Sequence, residues 1–356
     1  MLKQKTDERA RNYIKAMLFD DPDWIPCNVS IMPATWIKYG EAVEEIVLEH
    51  PRLFPDYQEG AFRNASVPPQ YRKGRWVDVW GTVWENIEEG LDSIPVEEEA
   101  PLRDWSALET YVPPDPIERT DLLGEPIDWD ERARTLQEVK ERGGLARGGL
   151  SHGFMFMRLF YLRGYSNLMI DIATHDPRLD QLIAIVRDYN VRLVRKWLDL
   201  GVELMHGGDD MGMQTSLPIS PQDWRRYIKP CYAAIVGECR GRGVPFHLHS
   251  DGRVVDIIPD LVECGVTAIN PQVRANGLED LRRVAKGNVC VDLDLDRQLF
   301  PFASISEVRE HIQSAIETLN TPRGGLMIHA ECEPDVPLPT IRAIVETLEQ
   351  CGCGPK

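Results

Sequence analysis

The chain has 356 residues, 43% hydrophobic and 27% charged, the proportions of a globular protein with a sizeable core rather than of a disordered chain. Forty Lys and Arg against 57 Asp and Glu leave a net charge of −17, a field that repels phosphate backbones and anionic membranes, so no nucleic-acid partner is expected. No run approaches the roughly 18 apolar residues of a membrane span, and the eight scattered cysteines contain no CxxC pair and form no disulfide framework.

In chain order, the first twenty residues are charged and amphipathic, without the apolar core and cleavage site of a signal peptide, and a cytoplasmic location is expected. Residues 1–130 are irregular, proline-rich and carry most of the tryptophans. They are expected to supply one early strand (Trp24–Ser30), then an insertion covering a barrel mouth, with hairpin content at Arg75–Ile87. From about residue 145 short apolar runs alternate with amphipathic stretches, the pattern of βα units around a parallel sheet. Strands are predicted near Leu145–Leu150, Val202–Gly207, Val244–His249, Val266–Asn270, Val289–Leu293 and Leu326–Glu331. Helices are predicted near 176–200, 222–242, 253–264, 279–286, 305–319 and 338–350. Ser220 before Pro221, and Ser304 ahead of Glu307, signal helix starts, while Gly201, Gly243 and Gly265 stand where a left-handed C-cap is needed. Six strands, the Trp24 strand and one from the insertion total eight. The expectation is an α/β protein, one (β/α)8 TIM-type barrel over 1–356, with 1–130 as first strand plus lid and 130–350 as the main βα units.

A barrel of this type builds its active site from the C-terminal ends of its strands. Those ends supply His206 and Asp209-Asp210; His247, His249 and Asp251; Asn270 and Gln272; Asp292, Asp294 and Asp296; and Glu331, Cys332 and Glu333. His247, His249 and Asp251 are two apart, which on an extended strand puts them on one face. His247 is balanced between that cluster and a hydrogen-bonded core position lower in the barrel. Cys332 reads either as an inert buried thiol or, with His249 and Asp251, as the third ligand of a catalytic zinc site with an open fourth position, with His247 and Glu331 as further metal candidates. Asp209 and Asp210 follow two glycines that admit close approach of a ligand, and one of them is expected to be catalytic or substrate-binding while the other caps the following loop. His206, Asn270, Gln272 and Asp294 are expected to bind substrate, although the three aspartates of the 292–296 run equally suit pairing with Arg297 and Arg274.

The runs Gly207-Gly-Asp-Asp-Met-Gly through Pro221, Tyr227-Ile-Lys-Pro230, Phe246-His-Leu-His-Ser-Asp-Gly252, Asp256-Ile-Ile-Pro-Asp-Leu261 and Ala268-Ile-Asn-Pro-Gln272 resemble, in order and spacing, the uroporphyrinogen decarboxylase superfamily. The similarity spans about residues 145–350 and points to the branch of methyltransferases that work with corrinoid proteins. Porphyrinogen decarboxylases hold substrate carboxylates with an arginine-bearing segment after the first strand; here Ile25–Pro33 contains no arginine. The resemblance implies a zinc enzyme in which His249 matches the histidine of a His-x-Cys motif and Cys332 a later cysteine, with Asp251 where the first cysteine would stand. A carboxylate in that place makes the metal a stronger Lewis acid, suited to a methoxy-type donor, with Asp209, Asp210 or Glu333 orienting substrate or supplying a proton. No Asp-x-His-x-x-Gly cobalamin pattern occurs, so the cobalamin is expected on a separate corrinoid protein. The implied function is transfer of a methyl group from a small methylated substrate to that partner. A decarboxylase or hydrolase on the same scaffold is the alternative and a non-catalytic binding barrel a third, with a homodimer left open.

Overall fold

Each apolar run closes on a residue that cannot continue it, and the local signals set where elements begin and end. In a computed structural model of the chain, which describes residues 6–64, 66–120 and 123–352, the strands are β1 (Cys27–Ile31), β2 (Gly74–Val77), β3 (Val83–Asn86), β4 (Ile94–Pro95), β5 (Arg147–Gly149), β6 (Leu204–Gly208), β7 (Phe246–Ser250), β8 (Ala268–Pro271), β9 (Cys290–Asp294) and β10 (Leu326–Cys332). Gly201, Gly243 and Gly265 take positive φ, and the valine after each is still approaching its strand, which is why β6, β7 and β8 begin two residues later than hydrophobicity suggests. Ser220 accepts the Asp223 N–H with Pro221 in the first helical turn. Ser304 and Glu307 form the reciprocal capping box of helix Ile305–Leu319. The stretch predicted as one helix over 222–242 is two, Pro221–Tyr227 and Lys229–Gly241, with Pro230 in the first turn of the second, where its missing N–H costs nothing.

The fold is α/β of the TIM-barrel type, parallel strands alternating with helices, and the chain divides into two compact units. The first comprises Arg75–Glu85 and Ile94–Ile269 with the residues up to Arg11. In it β5, β6 and β7 pair in parallel, with Gly149 opposite His206, His206 opposite His247 and Gly208 opposite His249. Register partners share a face, so these residues line one side of the sheet, while Met205, Phe246 and Leu248 are buried on the other. The second unit comprises Asn12–Gly74, Asn86–Ser93 and Asn270–Lys356, and in it β9, β10 and β1 are parallel neighbours. The division falls within β8. Among the described residues the parallel sheet has seven strands, not eight. The strands of the insertion, β2, β3 and β4, form a separate three-stranded sheet with β3 and β4 antiparallel, because tight turns join antiparallel strands without the long crossover that parallel pairing demands. No helix among the described residues is long and apolar enough to cross a membrane.

Two buried ion-pair sets brace the first unit. Asp78 closes the β2–β3 turn by accepting from the N–H groups of Trp80 and Thr82, and it also accepts from the Trp84 indole and the Arg158 guanidinium. The insertion is thereby tied to helix Phe156–Arg163. Asp260, on helix Ile258–Cys264, accepts from Arg225 and Lys229 at 2.7–3.1 Å. Burial raises its pKa, but the two cations outweigh that and leave it below the ordinary carboxylate value. A depressed folded-state pKa contributes stability above the unfolded value of about 3.9, lost as pH falls through the folded one. Asp260→Asn is therefore expected to lose about 1–2 kcal/mol at pH 7, less than a fully buried pair because Arg225 is half exposed. The gap to wild type should close in acid, as urea titrations at pH 7 and pH 3 would report.

Candidate active site

The strand ends of the first unit meet through backbone pairing that runs past the strands themselves. Beyond β5, the N–H of Leu150 donates to His206 O at 2.8 Å and that of Gly153 to Gly208 O at 2.7 Å. This carries the loop Leu150–Phe154 along β6 and sets His152 beside Gly208. A Cβ on Gly208 would lie 2.6 Å from His152 Nδ1, so the glycine is what lets the imidazole lie over the strand. Beyond β6 and β7 the loops lace together: the Asp209 N–H donates to His249 O, Gly212 N–H to Asp251 O and Arg253 N–H to Met213 O. Gly212 and Gly252 meet backbone to backbone, since a Cβ on Gly252 would fall 2.2 Å from the Gly212 carbonyl.

Of the adjacent aspartates, the fold uses one internally and presents the other. Asp209 is fully buried and accepts the N–H groups of Phe156 and Met157 at 2.7 and 2.9 Å and the Tyr232 hydroxyl at 2.7 Å. Desolvation pushes its pKa up despite these donors. It anchors the start of helix Phe156–Arg163, its oxygens committed to protein donors, which is the capping role expected of one of the two aspartates. Asp210 faces outward from that anchor. His152 Nε2 lies 3.0 Å from Asp210 Oδ2, His249 Nε2 lies 3.6 Å from Asp210 Oδ1, and the Asp251 N–H donates to Asp210 Oδ1 at 2.8 Å. Asp251 Oδ1 is itself 3.2 Å from His249 Nε2. Burial raises the Asp210 pKa, but the hydrogen bond and charge of His152 and the charge of His249 prevail and hold it low. Burial lowers His152, but Asp210 prevails and raises it.

His152, Asp210 and His249 each place a ligand atom within 4.8 Å of the others, the one such set of three among the described residues. Ligand atoms at the corners of a tetrahedral zinc centre stand about 3.4 Å apart for bonds of about 2.0–2.2 Å; here His152 Nε2 faces one Asp210 oxygen at 3.0 Å and His249 Nε2 the other at 3.6 Å, so the two imidazoles flank a shared carboxylate and the residues fit the ion. His206 and His247 lie further down the same strand face. Loss of hydration, then the charges of His247 and Arg147, hold His206 below the ordinary imidazole value, which leaves it a neutral imidazole at pH 7.

In the second unit, Asn270 is buried and donates to Asp292 O at 2.6 Å, while Gln272 bridges to buried Asp294. Asp296 pairs with Arg274 at 2.8 Å, and Arg297 pairs with Glu331, so the ion-pair reading of that run applies to Asp296. Glu331 and His329 share the half-exposed face of β10. Cys332 alternates to the opposite, apolar face beside Ile31, is fully buried, and its thiol is pushed up to about 12 by desolvation. So placed, Cys332 packs as the inert buried thiol that one of the two sequence readings describes. Glu333 is raised to about 7 by burial and then by the charge of Glu331. His152 was missed in the sequence although Ser151-His152-Gly153 follows the predicted strand Leu145–Leu150, where the strand-end rule applies equally.

With this geometry in place the chain can be set beside known proteins. The profile of the family described as Uroporphyrinogen decarboxylase (URO-D) matches residues 90–351. The chain belongs to that family of α/β-barrel enzymes. A solved methyltransferase from Methanosarcina mazei superposes with a TM-score of 0.64 at 14% identity, over 96% of this chain and 98% of that one. A B12-independent methionine synthase from Shewanella sp. W3-18-1 superposes with a TM-score of 0.41 at 11% identity, over 65% of this chain and 67% of that one. No curated protein matches the sequence.

Removing the Asp209 carboxylate strands three buried donors, each costing about 1–3 kcal/mol. Asp209→Ala should destabilise the protein by at least about 3 kcal/mol in denaturant titrations, and Asp209→Asn, which keeps an acceptor oxygen, by clearly less.

Proposed function

We propose that this protein transfers a methyl group from a small methylated, methoxy-type substrate to a corrinoid carried by a separate partner protein. The observation that carries the reading is the convergence of two imidazoles and a carboxylate, His152, His249 and Asp210, at the C-terminal ends of β5, β6 and β7, where this fold does its chemistry, in a family member lacking an arginine in Ile25–Pro33. The likeness in fold to the Methanosarcina methyltransferase is in keeping with it.

Zinc held at this cluster would supply Lewis acidity toward the oxygen that bears the methyl group. Asp210 orients both imidazoles, and the Asp251 N–H fixes Asp210. The neutral His206 is suited to donate or accept a substrate hydrogen bond, and Glu333, raised to about 7, remains a proposed acid–base residue of the second unit. Asn270, Gln272 and Asp294 remain proposed substrate contacts of the second unit. On this reading the corrinoid is carried by a separate partner, in keeping with a sequence that has no Asp-x-His-x-x-Gly pattern.

Incubation with reduced cobalamin and a panel of methoxylated and N-methylated compounds should form methylcobalamin, followed by its absorbance, with a methoxy compound the best donor. Asp210→Ala should slow the reaction by roughly 10²–10⁴-fold. Carbon dioxide release from a carboxylated substrate, with no methylcobalamin from any donor, would move the decarboxylase reading to first place.

A further inference from the structure

We infer that the chain holds its metal with a thiolate-free ligand set, His152 Nε2, a carboxylate oxygen of Asp210 and His249 Nε2, with the Asp251 carboxylate as a fourth donor beside His249. The inference rests on the methyl-transfer reading only for the task of the metal; the site is defined by geometry alone.

Three independent features of the first unit converge on it. One ligand atom from each of the three residues lies within 4.8 Å of the others, with His152 Nε2 3.0 Å from Asp210 Oδ2 and His249 Nε2 3.6 Å from Asp210 Oδ1, so the two imidazoles flank one carboxylate closely enough to share a divalent ion. Each donor is held from behind. The loop carrying His152 is pinned on both sides by the β6 backbone and at Phe154 O by the buried Asn190 amide at 2.6 Å. Asp210 is fixed by the Asp251 N–H, and His249 stands on β7, opposite Gly208 in register. Room for the set is built into the chain, since a side chain at Gly208 would collide with the His152 ring. An imidazole on an ordinary surface needs neither the notch nor the brace.

The donor chemistry follows. Two neutral imidazoles and one or two carboxylates form a borderline-to-hard set that favours zinc, with ferrous iron also accommodated by a two-histidine, one-carboxylate arrangement. A cysteine is not required, and Cys332 faces the apolar layer of its own strand. With fewer electron-donating ligands the ion keeps more positive charge for an incoming oxygen donor than a thiolate-rich centre would, which agrees with an ether rather than a thioether as methyl source.

The test uses the full chain stripped with a chelator and titrated with zinc or cobalt(II), read by calorimetry and by the absorption of the cobalt protein. One equivalent should bind, giving visible cobalt bands without a thiolate-to-cobalt charge-transfer band in the near ultraviolet. His152→Ala and His249→Ala should each weaken binding by more than about 100-fold, with circular dichroism showing that the variants remain folded. Gly208→Ala, which displaces the His152 ring while leaving every donor in the sequence, should weaken it as well. Cys332→Ser should change neither affinity nor spectrum. Zinc or iron in the purified protein, at one equivalent lost with His152, supports the assignment. A thiolate charge-transfer band that disappears in Cys332→Ser, wild-type affinity in His152→Ala, or no binding of either metal would overturn it. Metal binding as described without any methylcobalamin formation would leave the ligand assignment standing and remove the functional reading.

Discussion

Asp209 takes a carboxylate into a fully buried position, where the desolvation cost of a charge is met only by donors built around it. Those donors come from two elements distant in sequence: the first turn of helix Phe156–Arg163 gives two backbone N–H groups, and helix Lys229–Gly241 gives the Tyr232 hydroxyl. Two N–H groups at a helix start are among those left unpaired by the helix itself, and the positive end of the helix dipole favours the negative charge there. One side chain thus fixes the end of β6 against the helix after β5 and the helix after β6. The loop that carries His152 runs between these anchored points, so its position depends on Asp209 although Asp209 does not face the cluster.

The neighbouring Asp210 shows what that anchoring makes available. Consecutive residues at a strand end point in opposite directions, and with Asp209 committed inward Asp210 projects toward His152 and His249. The lacing of the two loops at Gly212 and Gly252 draws the Asp251 backbone close enough to hold Asp210 in turn. These contacts hold the part-exposed cluster in place, and positions fixed within a few tenths of an ångström are what a metal centre or a proton relay requires.

The second unit carries a different electrostatic pattern. Its strand ends are acidic, with Glu331 compensated by Arg297 and Asp296 by Arg274, and burial, then the charge of Glu331, raises Glu333 to about 7. Like charges brought together under partial burial cannot both ionise freely, and the proton retained there is chemistry that composition alone would not disclose.

The alternation of strand and helix, the capped starts at Ser220 and Ser304, the glycine stops and the barrel class were all legible in the sequence, because these signals act within a few residues and depend on backbone sterics and local hydrogen bonds. The strand-end rule also brought Asp210, His249 and Asp251 forward, since spacing of two on a strand fixes a shared face. Tertiary structure decided the rest. Whether Asp209 or Asp210 faces inward depends on a helix start and a tyrosine more than twenty residues away in each direction. The inclusion of His152 depends on a loop pairing with β6 and on the space above Gly208, and the exclusion of Cys332 on the register between β10 and β1, which sets the face a residue takes. The insertion makes its own sheet instead of an eighth barrel strand because pairing partners are chosen by connection length and twist across the whole chain. A sequence lists the donors and their periodicity; which of them meet is settled by contacts between residues far apart along the chain.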